Sequence, residues 1–332
     1  MKIAYLFFIF ILCWSCTSET EKKQKNRNNI IHVKDKMKEI VIEDVLIGQY
    51  SRMYLAGKHL IISDLSSVDA QIHLFDKNNF NYLSSTAPRG QGPDEITRMG
   101  HIESDETTRI IYVSDHGKNK IFSYDLDSIL VNPQYKPKEK MKMKSDLFPD
   151  NYLYVNDTLC IGLVIAPVGN ADYKPTVAKW NMRTGEIQPM KYEHPDIGKK
   201  RITFAASMKH GIYVECYSYH DLMTICDLDG NLKYNIYGQN WDNRISNQTN
   251  HYGKVRFVED KIFTVYSGKK NTFNAEDSPT KFFVFDMNGD YLKTIETNYK
   301  IVDFCYDQDN SRIIIALDDE MQFAYLDLDG LI

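Results

Sequence analysis

The chain has 332 residues, 43% of them hydrophobic and 26% charged, a composition that excludes a disordered chain and leaves room for one large domain or two ordinary ones. Its formal net charge of -5 gives no basic footprint and excludes nucleic acid as an expected partner. With 22 Tyr and 16 Phe against 10 Pro and 17 Gly, and no long run at helical spacing, the residues favour an all-β fold.

At the N-terminus Lys2 supplies a positive charge and residues 3–12 an apolar run of 10, too short to span a bilayer, which takes roughly 20 residues. Cys13-Trp14-Ser15-Cys16 follow, ahead of the polar TSETEKKQKNRNN, with the small Ser15 directly before Cys16. The segment resembles a bacterial lipoprotein signal peptide. That resemblance implies cleavage after residue 15, lipid on Cys16, and a place on the outer membrane of a Gram-negative bacterium, periplasmic or surface-exposed. An ordinary secretory peptide with an incidental Cys is the alternative. Residues 16–37 are polar and aperiodic and are expected to form the lipidated Cys and a flexible tether, so that the membrane is met through the lipid alone. Cys160, Cys216, Cys226 and Cys305 match no metal-ligand spacing and lie in apolar runs, which predicts buried free thiols. Cys216 and Cys226 have the alternative of meeting across one hairpin.

Beyond the tether the chain repeats. Six segments carry a strand ending in an aromatic or apolar residue, then Asp or Asn, then a polar turn: IHLFDKNN at Asp76, IFSYDLDS at Asp125, VAKWNMRTG at Asn181, MTICDLDG at Asp227, FFVFDMNG at Asp286 and FAYLDLDG at Asp327. Their intervals of 49, 56, 46, 59 and 41 residues suit four-stranded propeller blades. The last unit reads as strand A (IVDFCYD), strand B (RIIIAL) and strand C (MQFAYLD), then runs out after the Asp-Gly turn, with no strand D. MKEIVIEDVLI, residues 37–47, is a strand without a hairpin partner, and pairing it outside the last strand C closes the ring and protects its edges. The prediction is one domain, residues 38–332: a six-bladed β-propeller of four-stranded antiparallel blades, the last closed by an N-terminal strand. Closure of that kind would set the anchor near the rim of the sixth blade.

RIIYVSDHGKNKIFSYD, residues 109–125, is similar to the NHL-type propeller repeat, and STAPRGQGPDEI, residues 85–96, resembles a junction of the TolB-like six-bladed propeller lipoproteins of Bacteroidota. The resemblance covers about residues 38–332 and implies an envelope lipoprotein without an assigned reaction.

Chemical motifs are weak. Gly90-Gln91-Gly92-Pro93 lacks the Gly-Lys-Ser/Thr and helix of a phosphate loop and reads as a turn. In the Asp-x-Asp/Asn-Gly turns Gly comes too early for an EF-hand, so these Asp side chains are expected to bond the turn backbone. Asp64 and Asp115, at strand-B ends, read the same way. The His residues form no i,i+4 pair and no Gly-x-Ser-x-Gly elbow exists, so no catalytic residue, metal or cofactor is predicted.

The distribution of loops is more informative. A–B and C–D turns share one face of a propeller, and B–C turns and blade junctions the other. The first set is short here. The long segments, among them the stretch from Tyr135 to Asp150, fall on the second set, which makes that face the expected binding surface. Trp241, Tyr252 and Tyr173 offer stacking there, and Arg89, Arg201, Arg244, His194 and His251 polar contacts, a combination suited to a glycan or peptide. The alternative for Trp241 is that it pins its own loop. The expected function is binding of an envelope protein or oligosaccharide by a monomeric lipoprotein, without catalysis. The alternatives are a propeller enzyme acting on polysaccharide or peptide at the channel mouth, and a structural subunit bridging envelope proteins.

Overall fold

The computed structural model describes residues 20–332 apart from 25, 133, 145, 170–171, 245–247 and 273–277. The expected signal peptide and Cys16 lie outside the described residues. Three short strands come first: β1 (Glu21–Lys23), β2 (Ile30–His32) and β3 (Lys38–Glu39). Six sheets follow in chain order, each built from the axis outward. The first blade holds β4 (Ser51–Ala56), β5 (His59–Asp64), β6 (Ala70–Asp76) and β7 (Tyr82–Pro88), and the second β8 (Met99–Asp105), β9 (Ile110–Asp115), β10 (Lys120–Asp125) and β11 (Lys138–Lys142). The third holds β12 (Phe148–Asn156), β13 (Leu159–Val168), β14 (Asp172–Trp180) and β15 (Ile187–Pro189), and the fourth β16 (Ile202–Ser207), β17 (Ile212–Tyr217), β18 (Leu222–Asp227) and β19 (Leu232–Tyr237). The fifth holds β20 (Thr249–Val258), β21 (Lys261–Lys270), β22 (Lys281–Phe285) and β23 (Tyr291–Glu296), and the sixth β24 (Ile301–Asp307), β25 (Arg312–Leu317) and β26 (Phe323–Asp327). The expected six-bladed propeller of four-stranded antiparallel blades is the fold.

Each second strand is covered on both sides by neighbouring blades, which is why HLIISD, IIYVSD and RIIIAL are almost continuously apolar rather than alternating. The core is correspondingly divided into six apolar clusters, one between each pair of adjacent blades. Between the fifth and sixth blades, for example, Phe282 meets Phe304 edge-on at 4.9 Å.

The residues that set the repeat all mark the end of a third strand. In four of them the side chain bonds the following turn: Asp76 accepts from the amides of Asn78 and Asn79, Asn181 from Arg183 and Thr184, Asp227 from Asp229 and Asn231, and Asp286 from Asn288 and Asp290, whereas Asp327 pairs with Lys38 at 2.8 Å. At Asp125 the carboxylate caps helix α1 (Leu126–Val131) through the Ser128 amide. The helix replaces a tight turn on the short-turn face, and Tyr135 stays with it, its hydroxyl bonded to the Asp125 amide at 3.0 Å. The stretch from Tyr135 therefore starts on the face opposite the expected one and reaches the long-loop face only after β11.

Ring closure occurs as expected but over fewer residues. β3 pairs antiparallel with β26, Lys38 opposite Tyr325 and Glu39 opposite Ala324, and the Ile40 amide extends the ladder to the Phe323 carbonyl at 2.9 Å. The rest of residues 41–47 is irregular, with Ile42, Val45 and Ile47 packed at the seam of the sixth and first blades. Across the same seam Asp307 holds Lys77 at 3.3 Å, while Arg312, paired with Asp307 within the sixth blade at 3.0 Å, donates to the Lys77 carbonyl.

The expected flexible tether differs most. From Thr20 onward it lies on the rim as a strap, β1 pairing parallel with β19 and β2 parallel with β23, so that the fourth and fifth blades each gain a fifth strand. Alternate polar residues give such a segment no apolar period to read, because its ladder bonds come from the backbone. Between the two strands Arg27 drops into the cleft between these blades. Its guanidinium donates to Asp221 at 2.8 Å and to the Tyr252 hydroxyl at 2.8 Å, and lies 4.9 Å from the centre of the Phe283 ring. The described chain thus begins at the rim of the fourth blade and reaches the sixth only with β3. The four Cys residues at 160, 216, 226 and 305 are buried and unpaired, and burial pushes the Cys216 and Cys226 thiols up to about 12.

Candidate functional site

The residues expected to form a binding surface divide among separate local arrangements. Arg201 stacks on Tyr173 at 4.0 Å from the ring centre and pairs with Asp172, which also meets Lys199 at 3.1 Å. The Tyr173 amide bond to the Asp172 carboxylate, with Lys199 and Arg201 beside it, holds that carboxyl down to about 2. Trp241 packs against Tyr237 at 4.7 Å and His194 at 5.6 Å, and His194 is itself buried and hydrogen-bonded to the Tyr237 hydroxyl at 3.0 Å. Trp241 therefore pins its own loop. Arg244 pairs with Asp242 two positions before it, while Arg89 donates to the carbonyls of Leu65 and Ser67 within its own blade. His251 and Tyr252 are not on the surface: they are 5% and 3% exposed, His251 facing the Tyr266 hydroxyl and Tyr252 taking the Arg27 hydrogen bond. Their strand runs inward from the loop, and the strap covers them.

Asp64 and Asp115 are structural. Asp64 accepts from the amides of Gly48, Ser66 and Ser67 and from the Ser66 hydroxyl, and Asp115 from those of Thr97, Arg98, Gly117 and Lys118. Each carboxylate ties its own B–C turn to the chain entering the same blade. Burial would raise the Asp64 carboxyl, but the bonds from Ser66, Gly48 and Ser67 outweigh it and hold the group below its ordinary range.

A different set of residues converges on the axis. The innermost strands bring Arg52, Asp150, Lys254, Arg256 and Asp303 around a cavity of about 90 Å³ in the half of the channel nearer the long loops. Asp303 is 1% exposed; it accepts from the Met53 amide at 3.1 Å and lies 3.7 Å from Arg256. The Arg52 guanidinium lies 3.5 Å from the Gly100 carbonyl and beside the Tyr54 hydroxyl. Lys254 forms no hydrogen bond or ion pair among the described residues. Burial holds its ammonium below the usual lysine range, Asp303 and Asp150 opposing that effect and Arg52 and Arg256 adding to it.

Next to this collar, toward the short turns, the channel widens to about 300 Å³ between Met53, Ile102, Tyr152, Phe204, Phe257 and Tyr306, with the His101–Glu103 pair, 3.0 Å apart, in its wall. Tyr54, His101, Asn151, Phe204 and Arg256 border both spaces. Among the described residues no three His, Cys, Asp or Glu side chains are grouped to hold a metal ion. The arrangement is suited to holding a small polar or charged group at the collar and an apolar one beyond it. Its signal in the sequence is polar side chains inside first strands: SRMYLA, GKVRF and IVDFCYD each spend charged residues where a packed core would take apolar ones.

Comparison with known proteins agrees with the fold. The DUF5128 family, described as a 6-bladed beta-propeller, matches residues 41–158. No curated protein matches the chain. Among solved structures, a protein of Bacteroides fragilis described as exported is 12% identical, with a TM-score of 0.56 over 90% of this chain and 88% of its own. A DUF4221 family member from Bacteroides vulgatus is 9% identical, with a TM-score of 0.55 over 88% and 97%. A Xanthomonas campestris gluconolactonase is 12% identical, with a TM-score of 0.55 over 84% and 86%. At these identities the likeness is one of fold alone. No helix among the described residues is long and apolar enough to cross a membrane.

Proposed function

We propose that this chain is an extracytoplasmic binding propeller, held to the outer membrane by lipid on Cys16, that takes a ligand on its axis and presents its long-loop face to an envelope protein or oligosaccharide. The observation that carries the reading is the channel, where six first strands leave a charged collar above an apolar chamber instead of filling the axis. The sequence-proposed loop residues, by contrast, mostly spend their polar groups on their own loops. The exported description of the Bacteroides fragilis neighbour and the lipoprotein-like leader support the location.

The strap supports an orientation. β1 runs parallel to β19, which leads from a short turn toward the long-loop face, so Thr20 lies on the short-turn side of the fourth blade. Cys16 precedes Thr20 by four positions, a reach of at most about 14 Å. Lipid there sets the short-turn side of the fourth blade against the membrane and turns the long loops away from it. The catalytic alternative finds two carboxylates in the collar, Asp150 and Asp303, of which Asp303 accepts from the Met53 amide and lies 3.7 Å from Arg256.

The test is capture from envelope extract by the full-length protein, with retained molecules identified by mass spectrometry. Ala205→Trp, which fills the chamber wall, is expected to abolish retention, Trp241→Ala to preserve it, and Cys16→Ala to move the protein from the membrane to the soluble fraction. Retention lost in Trp241→Ala and kept in folded Ala205→Trp would place binding on the loops and sink the axial reading.

A further inference from the structure

Within that axial reading, on which this step rests, we infer that the ligand is a small monocarboxylate on an apolar body, its carboxylate at the collar against Lys254 and Arg52 and its body in the adjoining chamber. Three cations, Arg52, Lys254 and Arg256, face two carboxylates, Asp150 and Asp303, around the smaller cavity. Asp303 accepts from the Met53 amide through Oδ2 and lies 3.7 Å from Arg256, its Oδ1 making no hydrogen bond, and the positive groups of the collar without an ion pair among the described residues are the Lys254 ammonium and the Arg52 fork. A half-buried ammonium without an acceptor is costly, and an entering anion lowers that cost. The guanidinium adds planar, paired donors that suit a carboxylate.

Charge and volume narrow the class. One excess positive charge is neutralised by a monoanion, whereas a phosphate dianion would leave a net negative charge beside Asp150 and Asp303. A cavity of about 90 Å³ admits the carboxylate and little more. The neighbouring space of about 300 Å³, walled by Met53, Ile102, Phe204 and Phe257, then rewards a short apolar body.

The experiment is calorimetric titration of the detergent-solubilised full-length protein at low salt with butanoate, hexanoate and octanoate, with hexanamide and hexanol as neutral counterparts and inorganic phosphate as a bare anion. Hexanoate is expected to bind at least ten-fold more tightly than hexanamide and hexanol, and Lys254→Met to remove at least ten-fold of that affinity. Lys254→Arg, which keeps the charge, is expected to restore most of it. Removing an unpaired enclosed cation does not threaten folding, and melting curves of both variants check this. Equal binding of acid, amide and alcohol, or acid binding indifferent to Lys254→Met, overturns the carboxylate assignment and leaves the axial site standing. Binding of phosphate alone likewise overturns it, in favour of an inorganic-anion site. Binding of none, together with captured material that survives Ala205→Trp, overturns both.

Discussion

Arg27 illustrates how much one side chain of an apparently featureless polar segment can carry. Its side chain is 6% exposed and that of Asp221 1%, so the pair is enclosed rather than exchanged with water. Removing one member of such a pair strands the other charge, at a cost of about 3–5 kcal/mol. Urea unfolding of Arg27→Met is expected to show a loss of that order, and an Arg27→Met/Asp221→Asn double variant is expected to lose less than the sum of the singles. A loss below about 1 kcal/mol in Arg27→Met would show that the strap is not anchored there. Asp64 makes a pH-dependent prediction. Its folded pKa lies below the unfolded value of about 4 because backbone and Ser66 donors favour the carboxylate. The stabilisation is therefore complete above about pH 4 and is lost as pH falls through the folded value. Asp64→Ala should be less stable than the parent at neutral pH and converge toward it in acid; an unchanged gap down to pH 2 would contradict the assignment.

At the scale of elements, the strap converts two exposed blade edges into covered ones. The Asn235 amide bonds the Thr20 carbonyl at 2.7 Å and the Thr294 amide bonds the Asn29 carbonyl at 2.7 Å. A chain starting at residue 37 is expected to keep its six blades while these two amides lose hydrogen-exchange protection and amides of the second strands, such as that of Val214, keep theirs. Protection unchanged at both outer positions would show that the strap does not hold those edges in solution. A sequence pattern recovered the blade strands because each buries a face against its neighbour. It missed β1 and β2 because a strand added at a rim is held by backbone ladder bonds and by polar anchors such as Lys22 and Arg27, which leave no apolar period.

For the molecule as a whole, the ends meet in the sixth blade through few residues: β3, the Ile40 amide, and the Lys38–Asp327 ion pair at 2.8 Å. The exposed ion pair contributes little by itself, so closure rests on the ladder and on Ile40, 5% exposed in the seam core. Deleting residues 37–40 from an otherwise strapless chain is expected to open β26 as a free edge and give concentration-dependent association in size-exclusion chromatography. A monomeric product with an unchanged unfolding midpoint would count against closure by this strand.

The sequence by itself determined the all-β class, the six units and the closing strand. Those features depend on periods of two and of about 50 residues, which burial between neighbouring blades writes into each segment separately. It also determined the turn-capping role of the Asp residues, since an Asx bond spans only a few positions. Tertiary structure alone decided that His251 and Tyr252 are buried, that the polar leader becomes a strap, and that Arg52, Lys254 and Asp303 share one cavity. Arg52 and Asp303 stand 251 positions apart, and no local pattern relates residues whose only common property is that each sits on the first strand of its blade. Their meeting is a consequence of the ring closing, which sets every first strand facing the same axis.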